Sequence, residues 1–144
     1  MATKPILFIL AGPQSSGKTT ILQYLKKKFP RFFFIDETNQ YSILNKNHLG
    51  GAFVTREIEE QIVKTDIRKI REIDRLQPFI VIETGIMHCS YLENFMSKEE
   101  GEVYFNKYTQ AHKGLRPIVI FIDTKPQISW QRRKRKYVER IHKA

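Results

Sequence analysis

Residues 12–19 read GPQSSGKT, directly after the apolar run PILFILA. The spacing is G-x-x-x-x-G-K-[ST], and it constrains the fold because it works only where a strand hands over to a helix. Its two glycines let the backbone turn tightly and offer amide hydrogens to phosphate oxygens without side-chain interference. A helix beginning at Gly17 or Lys18 points its free first-turn amides and its dipole at the same anion. Lys18 then reaches the outer phosphates, and the Thr19 hydroxyl is placed to ligate Mg²⁺. The implied cradle runs through Gly12, Pro13, Gln14, Ser15, Ser16, Gly17, Lys18, Thr19 and Thr20. The implied ligand is a nucleoside triphosphate, ATP or GTP.

The flanking pattern supplies that setting. Four runs, 6–11, 32–35, 79–82 and 118–122, are continuously apolar, as in strands buried on both faces. Between them lie segments of helical period. Residues 19–29 place Ile21, Leu22, Leu25 and Phe29 on one face, and Pro30 stops the helix. Residues 55–76 align Ile58, Ile62, Ile70, Ile73 and Leu76. Glu57, Glu59 and Glu60 crowd the start of that helix and Arg68, Lys69, Arg71 and Arg75 its end, which suits the helix dipole. A weaker helical region covers 91–112, with breaks expected near Ser97 and Gly101, and a basic helix follows from Pro126.

Alternating strands and helices predict an α/β fold, a doubly wound parallel sheet with helices on both faces. With 144 residues and no repeat or linker, a single domain over 1–144 is expected. Each strand ends in polar groups: Gly12, Asp36-Glu37, Glu83-Thr84 and Asp123-Thr124. Ligands of open parallel sheets bind at those carboxyl ends.

Several classes are excluded. No apolar run approaches the roughly 20 residues of a membrane span, so no membrane partner is expected. Cys89 is the single cysteine, which removes internal disulfides and zinc-type cysteine clusters, and it reads as a buried thiol. His48, His88, His112 and His142 lack metal-ligand spacing. With no signal-peptide pattern in MATKPILFILAGP, the expected location is cytoplasmic. Net charge is +10, of which the stretch 132–143 carries +6 from seven basic residues and one glutamate. That balance favours anionic partners without choosing among nucleotides, nucleic acid and acidic surfaces.

Three acidic or basic features carry candidate chemistry. Asp36 or Glu37, following the second strand, offers the carboxylate that a kinase needs to accept a hydroxyl proton. Glu83 closes the third strand in FIVIETG and offers an oxygen ligand to Mg²⁺, directly or through water. In WQRRKRKYVER, one or two arginines can neutralise charge on a transferred phosphoryl group, while most of the run reads as a solvated face. Trp130 and Tyr137 are too few to make a nucleic-acid patch the better reading of this run.

Taken together, the chain resembles the P-loop nucleoside and nucleotide kinases, which include deoxynucleoside, thymidylate and ribosylnicotinamide kinases. The likeness covers nearly the whole chain and is most specific in GPQSSGKTT. It implies four parallel strands in the order 2-3-1-4. It implies ATP and Mg²⁺, and transfer of the γ-phosphate to a small nucleoside- or nucleotide-like acceptor. IDET is similar to the place of the activating glutamate, which implies Glu37, and IETG to that of the metal-site acid, which implies Glu83. Thr84 stands where those kinases usually carry arginine. FIDTKPQISWQRRKRK is similar to the segment leading into their lid and implicates Arg132 and Arg135. These kinases continue past the lid with a helix and a fifth strand, so a shortened member or a fragment is expected. Residues 39–53 are expected to line the acceptor pocket with Gln40, Tyr41 and Phe53. A homodimer is compatible with the pattern. The alternative is a P-loop ATP/GTP switch or ATPase without an acceptor, associated with nucleic acid through its basic tail.

Overall fold

The structure is a computed structural model describing residues 3–13, 16–39, 43 and 55–143, with backbone alone at 136, 137 and 139–143. Gln14, Ser15, Gln40, Tyr41 and Phe53, named above as site or pocket residues, lie outside the described residues. In chain order the elements are β1 (Ile6–Ala11), α1 (Lys18–Lys28), β2 (Phe33–Ile35), α2 (Arg56–Glu72) and β3 (Phe79–Glu83). They continue with α3 (His88–Leu92), α4 (Lys98–Ala111), β4 (Arg116–Phe121) and α5 (Pro126–Lys143). Short 3₁₀ turns at Gly85–Met87 and Glu93–Phe95 flank α3. Among the described residues no helix is long and apolar enough to cross a membrane.

The sheet is parallel throughout, in the order β2-β3-β1-β4, as expected. Its central strands are covered on both faces. Leu7, Ile9, Ile80 and Ile82 face one core with Val63, Ile67 and Ile70 of α2 and Tyr108 of α4. Leu10 and Val81 face the other with Leu22 of α1. The period-two alternation of side chains along a strand divides the run between two cores, so both appear as one continuous apolar stretch in sequence.

β4 departs from the expectation of two buried faces. Among the described residues it forms a sheet edge and pairs with β1 alone, and Ile118, Val119, Ile120 and Phe121 are 37–63% exposed. None of its residues is buried by a described element, so its apolar run fits strand propensity without burial among the described residues. The second departure is at the end of α2. Ile73 leaves helical geometry at ψ 132°, and the Arg75 guanidinium donates to the carbonyls of Ile70 and Ile73. Those capped carbonyls end the helix early, and Leu76, expected on the buried stripe, is 88% exposed. The region 91–112 does break at Ser97, whose Oγ accepts from the Glu100 amide at 3.2 Å and caps α4. Gly101, the other expected break, lies inside that helix.

Candidate active site

The loop after β1 is shaped by contacts that leave little room. A Cβ on Gly12 would meet the Ile122 carbonyl oxygen and Ser16 Oγ at 2.9 Å each. Gly17 adopts φ 102°, a left-handed conformation that suits a residue without a side chain, and α1 begins at the next residue. No side chain caps that helix start, and none of its first-turn residues is acidic. The positive dipole end therefore faces the loop without an acidic residue of its own helix. Lys18 folds back over the loop, its ammonium donating to the Gly12 carbonyl at 2.6 Å and the Pro13 carbonyl at 3.4 Å. Burial pulls its pKa below the usual lysine value, opposed by the nearby Glu37 and Glu83 carboxylates. Ser16 Oγ is buried and has no hydrogen-bond partner, while the Thr124 hydroxyl donates to the Ser16 carbonyl at 2.9 Å.

The acids predicted at the strand ends separate cleanly. Asp36 turns outward and pairs with Lys26 at 2.6 Å, its side chain 69% exposed. Glu37 turns inward: its Oε1 accepts from Thr84 Oγ1 at 3.0 Å and lies 4.0 Å from His88 Nε2. Glu83 is buried at the end of β3 and accepts from the Thr19 hydroxyl at 2.5 Å. Lys18, Thr19, Glu37, Glu83 and Thr84 thus gather at the carboxyl ends of β1, β2 and β3. Thr20 and Pro13 are exposed beside them. On α5, the Arg132 guanidinium comes within 3.8 Å of where a Cβ on Gly17 would stand, so it borders the loop. Arg135, one turn further along, lines a shallow depression with Gln131, Lys134 and Val138.

The structure gives three residues surroundings that the sequence did not foretell, although Thr84 and His88 were named there. Thr84 adopts φ 67°, ψ −56°, unusual for a β-branched residue, and from there bonds Glu37. Asp66 of α2 is 1% exposed, pushed up to about 7 by burial, and accepts from the Tyr108 hydroxyl at 3.2 Å. His88 of α3 is equally enclosed, its imidazole lowered to about 4 by burial and by the charges of Lys18 and Lys69. A usable signal existed for Asp66, since it interrupts the apolar stripe between Ile62 and Ile70 at helical spacing. Cys89 is buried as expected, and burial pushes its thiol to about 12.

No protein-family model and no curated protein matches the sequence. Solved structures do match. One is the protein APE1195, with a TM-score of 0.60 at 18% identity, covering 99% of this chain and 73% of that one. Another is a candidate kinase from Chloroflexus aurantiacus, with a TM-score of 0.58 at 16% identity, covering 95% and 68%. A deoxyadenosine kinase from M. mycoides superposes less well, at a TM-score of 0.49 and 15% identity, over 91% and 70%. With the 2-3-1-4 sheet and its flanking helices, the chain has the P-loop kinase fold. At these identities the likeness is one of fold.

Proposed function

We propose that the protein is an ATP-dependent kinase that transfers the γ-phosphate to a hydroxyl of a small nucleoside- or nucleotide-like acceptor, working in the cytoplasm. One observation carries the reading. At the head of α1 Thr19 donates to the Glu83 carboxylate and Lys18 folds over the loop beside it, while Thr84, the residue after Glu83, holds Glu37. A phosphate cradle and an inward-facing carboxylate are thereby adjacent, which is what transfer to a hydroxyl needs.

In this reading Lys18 leaves its loop carbonyls for the β- and γ-phosphates, joined by the free amides at the start of α1. The acceptor hydroxyl oxygen attacks the γ-phosphorus, its proton passes to Glu37, and the bond from that phosphorus to the β–γ bridging oxygen breaks, releasing ADP. Arg132, already beside the loop, is placed to neutralise charge on the phosphoryl group in flight. Arg135, one turn further along α5, is the second candidate for that role. The donor set fits Mg²⁺: Thr19 and Glu83 present a hydroxyl and a carboxylate oxygen, and this ion commonly takes one or two protein oxygens beside phosphates and water. When bound, Mg²⁺ supplies charge neutralisation to the transferred phosphoryl group.

Acceptor-dependent ADP release over a panel of nucleosides, nucleotides and small alcohols tests the reading. Glu37→Gln keeps the shape and removes the basicity, so turnover is expected to fall by about 10²–10⁴-fold with Mg-ATP binding retained. Unchanged turnover would take the proton-accepting role away from Glu37.

A further inference from the structure

The turn that leaves β3 carries a residue that its backbone geometry disfavours. Among the described residues, Thr84 is the only one other than glycine with a positive φ, at φ 67° and ψ −56°. Those angles lie near the rare, strained γ-turn geometry, and a β-branched side chain fits them worst. The next residue, Gly85, also has a positive φ, 53°, and there the chain supplies the residue such a backbone favours. At position 84 it does not. The strained residue is held from both sides: its amide donates to the Leu10 carbonyl at 2.8 Å, and its carbonyl accepts from the Met87 amide at 3.1 Å. Its side chain is buried. Strain of this kind persists only where the surroundings fix it, and it concentrates at functional sites.

We propose that Thr84 is a positioning residue for Glu37, and that its strained backbone is the cost of aiming its hydroxyl at that carboxylate. The inference rests on the kinase reading and deepens it. The Thr84 hydroxyl donates to Glu37 Oε1 at 3.0 Å, a contact that glycine, the residue the backbone favours, could not make. Glu83 and Thr84 are consecutive, and in extended backbone consecutive side chains leave on opposite sides. Here both serve one crevice: Glu83 accepts from Thr19 at the head of α1, and Thr84 reaches Glu37 beyond the end of β2. A single peptide unit thereby ties the acid on the phosphate side to the base on the acceptor side. Glu37 follows a strand of only three residues, and its side chain is 29% exposed. Thr84, anchored through its backbone at both ends, passes its rigidity to that carboxylate through the hydrogen bond. Such rigidity matters for transfer, because misplacing a reacting group by about 1 Å can cost about 10²-fold in rate.

The test uses the intact chain with Mg-ATP and, as acceptors, the common nucleosides and their 5′-monophosphates, read by ADP release. Thr84→Val keeps the shape and removes the hydroxyl, so kcat is expected to fall by about 10–10²-fold with the Mg-ATP KM within about twofold. Thr84→Ser restores the donor and should bring turnover back to within about threefold of the wild type. In a Glu37→Gln background Thr84→Val should cost little more, because a residue that acts through Glu37 then has no base to position. The strain is read separately, by urea unfolding with no acceptor present. Thr84→Gly is expected to be more stable than Thr84→Ala, the reverse of the usual order, since glycine relieves the positive φ and alanine keeps it. An undiminished kcat in Thr84→Val, equal losses in the serine and valine variants, or a full further loss in the Glu37→Gln background overturns this inference and leaves the kinase reading standing. So does a Thr84→Ala protein more stable than Thr84→Gly. Binding of Mg-ATP with no acceptor turned over by the wild type removes the kinase reading, and this inference with it. If Thr84→Val does not fold, Thr84→Ala takes its place in the kinetic comparison.

Discussion

Asp66 and His88 also make opposite demands on the pH dependence of stability. Burial raises the Asp66 carboxyl from 3.8 to about 7 and lowers the His88 imidazole from 6.5 to about 4. Between those values native Asp66 keeps a proton that the unfolded chain has released, so its contribution to stability falls as pH rises. Native His88 is neutral over pH 4–6.5 while the unfolded imidazole is charged, so its contribution rises with pH. Among the described residues, the charged and titratable groups around the pair are Glu37, Lys18, Lys69, Tyr108 and Cys89. Urea unfolding of Asp66→Asn is expected to show stability climbing more steeply from pH 4 to 6.5 than in the wild type. His88→Gln should show the reverse, and identical slopes in all three proteins would mean that neither group titrates as described. At this scale the sequence was only partly legible. Gly12, Gly17 and Lys18 announce themselves through a spacing that local backbone geometry requires. The choice of Glu37 over Asp36 depends on which way each side chain leaves the end of β2, which the sequence leaves open. Thr84 bonds Glu37 across 47 positions, and no local pattern encodes such a contact.

Among the elements, α5 is where two readings of the same charges diverge. An arginine that acts on developing phosphoryl charge works through its planar fork, so lysine is a poor substitute. Loss of such an arginine lowers the rate by up to about 10³–10⁵-fold and has much less effect on nucleotide affinity. A nucleic-acid patch counts charges almost interchangeably and weakens steeply with salt. Arg132 borders the loop at Gly17, whereas Lys134 lines the shallow depression on the helix. Arg132→Lys is therefore expected to impair transfer strongly, and Lys134→Gln to leave it nearly unchanged. Salt-dependent binding of both variants to a random oligonucleotide is the companion measurement. If Arg132→Lys is silent and oligonucleotide binding is tight at physiological salt, α5 serves nucleic acid instead. The helix itself was plain from Pro126 and the basic run. The end of α2 was less so, because Ile73 and Leu76 keep the apolar period while Arg75 caps the helix through a tertiary contact also made to the Ala111 carbonyl.

For the whole molecule, periodicity and the rule for parallel connections were enough to read the layered α/β fold, since each follows from local hydrophobic spacing and chirality, while the strand order was implied by the resemblance to P-loop kinases. What they did not distinguish was a central strand from an edge strand, because both present a continuous apolar run. β1 and β4 are adjacent and paired from Ile6–Arg116 to Ala11–Phe121, yet their burial is opposite. Leu7 of β1 is 0% exposed and packs in the core shared with α2 and α4. Val119 of β4 is 54% exposed. Removing a fully buried leucine side chain loses its transfer free energy and leaves a cavity, so Leu7→Ala is expected to cost about 2–5 kcal/mol in urea unfolding. Val119→Ala removes atoms that are already half in water, with no cavity to form, and should cost within about 0.5 kcal/mol. The pair of measurements also reads what β4 meets in solution. A Val119→Ala cost approaching that of Leu7→Ala, and growing with protein concentration, would mean that another copy of the chain covers the edge strand, because only burial by a partner makes a stability cost depend on concentration.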